Sequence, residues 1–273
     1  MLPLKVDIKG LIRFSYLSEG GFALSNQDEN AIRDTLYDPE RLVRRFALFE
    51  RLTLHSIKQQ LEPRFRIGIL IGEDFPNDAR AWLERLVSDV PQVQVISLPR
   101  LPHFNATRRA FDMMGNDPEA THTATFRLDD DDAMHRLTTD RIMRMSQTLL
   151  ATRNPTRPFI IGFNRGFYLD AGNSETPLTE WFEKTPLGIG LTLVMPKGML
   201  TNIYRRNHRK LGEYYDSYIE NGQPMYIRSV HEDNDSHAKA TGRRGELDHE
   251  GIARVLRRGF NLTLNDLRAL NVS

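Results

Sequence analysis

Beyond its first two residues, the run Phe65-Arg-Ile-Gly-Ile-Leu-Ile-Gly72 presents no polar face. A strand with water on one side alternates polar and apolar residues, so a run without alternation is buried on both sides, as in a parallel sheet covered by helices. Such a sheet requires strands and helices to alternate along the chain, and the first half supplies them. Residues 10–17 read as a short strand with a turn at Gly20-Gly21. Asp38-Pro39 marks a helix start, with aspartate as N-cap and proline at the first helical position. Leu42, Phe46, Phe49 and Leu52 give that helix an apolar stripe. Asn77 is placed to cap the next helix, where Trp82 and Leu86 lie one turn apart, as do Leu83 and Val87. A strand through Val93, Val95 and Leu98 follows, then a helix over residues 106–114, a strand over residues 123–128 and a helix through Ile142, Met145 and Leu149. The pattern predicts an α/β fold whose mostly parallel sheet has helices on both faces.

The second half is less regular. Residues 158–169 and 188–195 read as strands, expected antiparallel, separated by a polar loop that holds Trp181. No Gly/Ser or proline-rich linker divides the chain, so residues 1–273 are expected to form one domain with halves of about 1–150 and 151–273. The 37 basic and 36 acidic residues leave a net charge of +1, which provides no global field for nucleic acid or an anionic membrane. No cysteine is present, which removes disulfides and thiolate chemistry and suits a reducing cytoplasm, the expected location. Nowhere do roughly 18 apolar residues run together, so no transmembrane helix is expected.

The functional signal is Asp129-Asp130-Asp131-Asp132, directly after an apolar strand, with Arg127 just before it. Four adjacent carboxylates repel one another unless a cation or a ring of donors offsets the charge. Ligands of parallel α/β sheets bind outside the carboxyl ends of the strands, where this run is placed. Mg²⁺ or Mn²⁺ suits carboxylate oxygens and keeps water and ligand phosphates in its shell. The plainer alternative is a solvated acidic loop.

The segment Phe126-Arg-Leu-Asp-Asp-Asp-Asp-Ala133 resembles the DxD region of GT-A glycosyltransferases. With Arg13-Phe-Ser-Tyr16, Gly20-Gly-Phe22, Leu48-Phe-Glu-Arg-Leu-Thr-Leu54, Leu70-Ile-Gly-Glu73 and Ser229-Val-His231 followed by Asn234, the chain resembles the rhamnosyltransferase family of bacteria. The resemblance implies a GT-A-like, Rossmann-type fold, with a nucleotide-sugar half first and an acceptor-binding half second. It implies a metal-dependent glycosyltransferase using Mn²⁺ or Mg²⁺, a nucleotide-diphosphate sugar donor and a glycan, lipid or protein acceptor. Carried over by position, Asp129 lies near the ribose, Asp131 and Asp132 at the metal, and His231 completes the metal shell. Glu73 or Asp74 meets the base, Arg13 reaches the nucleotide or its phosphates, and Arg108 and Arg109 form a basic helix near the donor. Arg127 is grouped with these donor-binding residues.

An inverting enzyme requires a carboxylate within hydrogen-bond reach of the acceptor hydroxyl. Glu183, near Trp181, and Asp233 are the candidates, with Glu232 beside the latter. The basic run Arg205-Arg206-Asn-His-Arg209-Lys210 reads first as a solvated helix face and second as a contact to a diphosphate or an anionic acceptor glycan. Two other classes compete. A metal-dependent nucleotidyl- or phosphotransferase would bring a glycine-rich phosphate loop, and a calcium- or glycan-binding module would bring calcium-loop spacing. Neither pattern is present in the sequence.

Overall fold

The computed structural model describes residues 4–19, 28–170, 177–231 and 239–270. Twelve strands and eight α-helices occur among them, in two sheets. In chain order the elements begin with β1 (Val6–Arg13), α1 (Glu29–Leu36), α2 (Pro39–Leu48), α3 (His55–Lys58), β2 (Phe65–Gly72), α4 (Asn77–Val87), β3 (Val93–Leu98) and α5 (His103–Met113). They continue with β4 (His122–Arg127), β5 (Ala133–Met134), α6 (Thr138–Thr152), β6 (Phe159–Phe163), β7 (Arg165–Asp170), β8 (Leu178–Phe182) and β9 (Thr192–Pro196). Last come β10 (Asp216–Glu220), β11 (Tyr226–Val230), β12 (Arg243–Arg244), α7 (His249–Val255) and α8 (Leu264–Arg268).

The large sheet has seven strands in the order β10-β6-β9-β4-β1-β2-β3. All run in one direction except β9, which is antiparallel to both β4 and β6. The doubly apolar run is β2, paired on both sides in parallel, as its composition requires. Helices α2, α4 and α6 cover one face, where Phe46, Leu83 and Ile142 pack on Ile8, Ile12 and Ile69. Helix α5 covers the other, with Ala106, Ala110 and Phe111 against Leu11 and Leu70. The mostly parallel sheet with helices on both faces is therefore observed. Gly10 is required by contact: it pairs with Phe126 across β1 and β4, and a Cβ there would collide with the Phe126 ring.

The second sheet has the order β12-β8-β7-β11-β5. Its apolar face packs on the third core cluster, which includes Phe167, Ile227, Leu256 and Phe260. The two sheets share chain segments. After β6 the backbone breaks at Asn164 and enters the second sheet as β7, and the aspartate run joins β4 of one sheet to β5 of the other.

Several local expectations change. The first strand ends at Arg13 rather than residue 17, because Ser15 takes a left-handed backbone with φ of 47°. Asp38 caps α2 by accepting from the Arg41 amide. The helix then runs on through a π-helical turn (Phe49–Leu54) into α3. Asn77 is not a cap. It is the first residue of α4, and Pro76 holds the cap position with its fixed φ. Residues 158–169 form two strands, and Trp181 lies in β8, not in a loop. The expected turn at Gly20-Gly21 lies outside the described residues.

Candidate active site

A cavity of about 840 Å³ opens beyond the carboxyl ends of β1 and β4, where the aspartate run crosses between the sheets. All four aspartates line it, together with eight arginines. A chain of net charge +1 has thus gathered a strongly positive chamber around a negative strip.

Each aspartate has a different environment. Asp129 is half-buried and faces the cavity. Asp130 is buried and held by the Arg45 guanidinium from α2, through Nε at 3.1 Å and through Nη2. Burial raises the Asp130 carboxyl to about 6 despite that guanidinium. Asp131 accepts from Arg45 Nη1 at 3.3 Å and lies 3.0 Å from His231 Nε2. Burial would raise its carboxyl, but Arg45 and His231 together hold it below the usual carboxylate range. Asp132 accepts from the Ser229 amide at 2.9 Å, and its own carbonyl accepts from Thr53 Oγ1 at 2.8 Å. Burial, with Asp131 and Asp129 close by, pushes its carboxyl well above the ordinary value.

The opposite wall is built on Tyr204. Its ring is buried and its hydroxyl donates to the Leu11 carbonyl at 2.7 Å. Arg13, ending β1, and Arg127, ending β4, set their guanidiniums 5.7 and 4.7 Å from the ring centroid. Both contacts are of cation–π type. Arg127 Nη1 also lies 3.4 Å from His208 Nδ1. Burial and the surrounding arginines depress His208 to about 3, and burial with Arg13 and Arg127 depresses His103 to about 4, so both are neutral near pH 7. Arg127 Nε and His103 Nδ1 are buried without a hydrogen-bond partner among the described residues. An unmet Arg127 N–H close to the Arg13 guanidinium suits an anionic ligand.

The expected site residues separate into those the fold gathers and those it does not. Arg13, Arg127, Asp129, Asp131 and Asp132 line the cavity, and His231 reaches Asp131. Asp132 turns instead to the Ser229 amide, and among the described residues no three His, Asp or Glu side chains converge as a ligand set. Asp131 Oδ2 and His231 Nε2 face each other at 3.0 Å, so this pair offers at most two protein ligands, and a divalent cation there would have to draw the rest of its shell from water and phosphate oxygens. Glu73 and Asp74 follow β2 but do not line the cavity. Asp74 accepts from Arg33 Nε at 2.8 Å and from the Tyr37 hydroxyl at 2.9 Å. Arg108 and Arg109 are exposed on α5, away from the cavity lining.

Glu183 is buried and also outside the lining. It accepts from the Tyr168 hydroxyl at 2.6 Å, from the Thr241 amide at 3.1 Å and from the Thr241 hydroxyl. Asp233 and Glu232 lie outside the described residues. Sequence reasoning missed Arg41, Arg45, Tyr204 and Arg228, all of which line the cavity. A signal for two of them existed: Arg41 and Arg45 are one turn apart in a helix also apolar at Leu48 and Leu52, so that row had to be buried too. The basic run, read first as solvated, lines the cavity at Arg205, Arg206 and Arg209.

No curated protein gives a significant match to the chain. Among solved structures, S. aureus TarS 1-349 in complex with UDP-GlcNAc is similar at 9% identity and a TM-score of 0.45, covering 84% of this chain and 60% of that one. A structure of S. aureus TarS gives 11% and 0.43, with 83% and 37% covered, so this chain spans less than two thirds of these TarS chains. The 4-diphosphocytidyl-2C-methyl-D-erythritol synthase from Anaerococcus prevotii DSM 20548 gives 10% and 0.34, with 90% and 94% covered. At these scores the likenesses are remote. The family model described as "Putative rhamnosyl transferase" matches residues 7–243, which include all but the first residue of β1, the aspartate crossing and the whole cavity wall, and the chain belongs to that family of glycosyltransferases.

Proposed function

We propose that this protein transfers a sugar, rhamnose in keeping with the family description, from a nucleoside-diphosphate donor to a hydroxyl of a glycan, lipid or protein acceptor. The observation behind this reading is the cavity at the carboxyl ends of β1 and β4, where arginines outnumber aspartates eight to four. A diphosphate leaving group gains negative charge as its bond to the sugar breaks, and preorganised guanidiniums stabilise that charge where it develops. Arg13 and Arg127, fixed on either strand end and braced by Tyr204, are the assigned diphosphate clamp. Asp129, facing the cavity, is assigned to the ribose.

Asp131 and His231 are the assigned protein ligands of a divalent Mg²⁺ or Mn²⁺. When bound, such an ion supplies Lewis-acid neutralisation of the diphosphate oxygens. Arg45 keeps the Asp131 carboxylate ionised and oriented for that role. In the transfer, the acceptor hydroxyl oxygen bonds to the anomeric carbon while the bond from that carbon to the diphosphate oxygen breaks. The electron pair leaves with the nucleoside diphosphate, and the hydroxyl proton passes to a base. Glu183 is saturated and off the cavity, so the proton acceptor is assigned to Asp233, with Glu232 beside it as the alternative.

Calorimetric titration of uridine, thymidine, guanosine and cytidine diphosphates, with and without Mn²⁺, tests the donor site. One nucleotide is expected to bind in a metal-strengthened manner. Asp131→Ala is expected to remove the metal effect, and Arg127→Gln to weaken binding about tenfold or more, the scale of a lost charge-assisted contact. Absence of binding by all four under both conditions would end the donor-site assignment.

A further inference from the structure

The cavity holds more positive charge than a donor needs. Of its eight arginines, Arg45 is committed to Asp130 and Asp131, Arg41 donates to the Ser15 hydroxyl and the Leu36 carbonyl, and Arg228 lies 5.6 Å from the Tyr168 ring centroid. Arg13 and Arg127 flank Tyr204 in the half-buried part. Arg205, Arg206 and Arg209 remain at the mouth, all exposed, on the segment that follows β9. Among the described residues none of the three has a carboxylate within ion-pair distance, whereas other surface arginines are paired, such as Arg80 with Glu84 and Arg144 with Asp140.

Two of these side chains, Arg205 and Arg206, are held by aromatic rings. The Arg205 guanidinium stacks 4.5 Å from the Phe104 ring centroid, and that of Arg206 lies 4.4 Å from the Tyr214 centroid. Stacking occupies the face of a guanidinium and leaves its edge N–H groups for oxyanions. The backbone is fixed as well: Asn202 Oδ1 accepts from the Tyr204 amide at 2.8 Å, and Asn207 Oδ1 accepts from the Arg209 amide at 3.0 Å. Tyr214 is 51% exposed, an aromatic surface beside the arginines of the kind that packs against a sugar ring.

We infer that Arg205, Arg206 and Arg209, with Tyr214, form an acceptor subsite for an acidic glycan, one bearing carboxylate or phosphate groups. This inference rests on the donor-binding reading above and narrows the acceptor within it. Preorganised arginines bind an anion at little ordering cost, and a positive mouth also speeds its capture.

The test is calorimetry on the full chain with saturating nucleoside diphosphate present, so that the donor clamp is filled. The probes are an oligogalacturonate for carboxylates, a short polyphosphate for phosphates and neutral maltohexaose as control. At least one acidic probe is expected to bind about tenfold or more tightly than the neutral one. The double variant Arg206→Gln/Arg209→Gln is expected to lose about tenfold of that binding, with nucleoside diphosphate affinity kept within about threefold. Binding of the uronate alone or of the polyphosphate alone upholds the inference and names the charge. Equal binding of acidic and neutral probes, or an unchanged affinity in the variant, overturns it. An equal loss of nucleoside diphosphate binding overturns it too, since the arginines would then serve the donor. If no nucleoside diphosphate binds wild type, the donor reading fails by itself, and the oligomer titrations still decide the subsite.

Discussion

Asp130 and Glu183 show how much of this site is support for other groups. Asp130 is buried and gripped by Arg45, so the guanidinium neutralises a carboxylate that is almost wholly shielded from solvent. Removing one partner of such a buried pair leaves an unpaired charge and costs about 3–5 kcal/mol. Arg45→Leu should therefore destabilise the protein by that order in urea unfolding, and adding Asp130→Asn should recover part of the loss. Glu183 accepts from Tyr168 and Thr241 and ties β7, β8 and the 241 segment together. Glu183→Ala strands those donors at about 1–3 kcal/mol, so it should lower the melting temperature by several degrees. Nucleoside-diphosphate affinity in that variant should stay near wild type. A loss of donor binding at unchanged stability would contradict the supporting role.

At the scale of elements, the site depends on where strands stop. β1 and β4 are parallel neighbours, with Leu11 opposite Arg127, so their last residues deliver Arg13 and Arg127 to the same ring. Beyond β1 the chain turns through Ser15 at φ 47°, where Arg41 Nη1 reaches the Ser15 hydroxyl at 3.2 Å. A β-branched residue is strained in that backbone region, whereas glycine is not. Ser15→Val should destabilise by about 1–3 kcal/mol and Ser15→Gly by less, as read by thermal unfolding. Helix α2 brings Arg41 and Arg45 to the cavity, and its cap at Asp38 fixes where it begins. Asp38→Ala should cost about 0.5–2 kcal/mol in the same measurement.

For the whole molecule, charge is unevenly distributed, and both acid and salt should reveal it. His135 is buried and His103 and His208 are half-buried, and desolvation is the main cause that depresses His103, His135 and His208 to about 4, about 4 and about 3. Their folded values lie below the unfolded value near 6.5, so the unfolded chain takes up protons first as the pH falls. The stability they confer is complete above about pH 6.5 and is lost progressively toward pH 4, by up to about 1.4 kcal/mol per histidine per pH unit. Urea midpoints should thus fall between pH 7 and pH 5, and His135→Gln should reduce that fall. Binding of an acidic acceptor probe should also decline with salt, since the arginines at the cavity mouth are exposed and their attraction for an anion is screened. Titrations at 50 and 500 mM NaCl, numbers chosen as roughly a threefold change in screening length, would show it as a several-fold loss.

The sequence by itself determined the parallel core and the position of the acidic site. The uninterrupted apolar run at β2 fixed an interior strand, and the alternation around it fixed helices on both faces, because burial leaves few other arrangements for such patterns. The aspartates also had to lie at a strand end, since no packed interior accepts four adjacent carboxylates without partners. Tertiary structure alone decided who those partners are. Arg45 is 85 positions from Asp130, and His231 is 100 from Asp131. Nothing local in either segment names the other, because ion pairing depends on distance in space while sequence patterns report only neighbours. The break at Asn164, the two-residue β5 and the strand around Trp181 were illegible for a similar reason. Short strands are selected by the edge they join, and that edge exists only once the fold has formed.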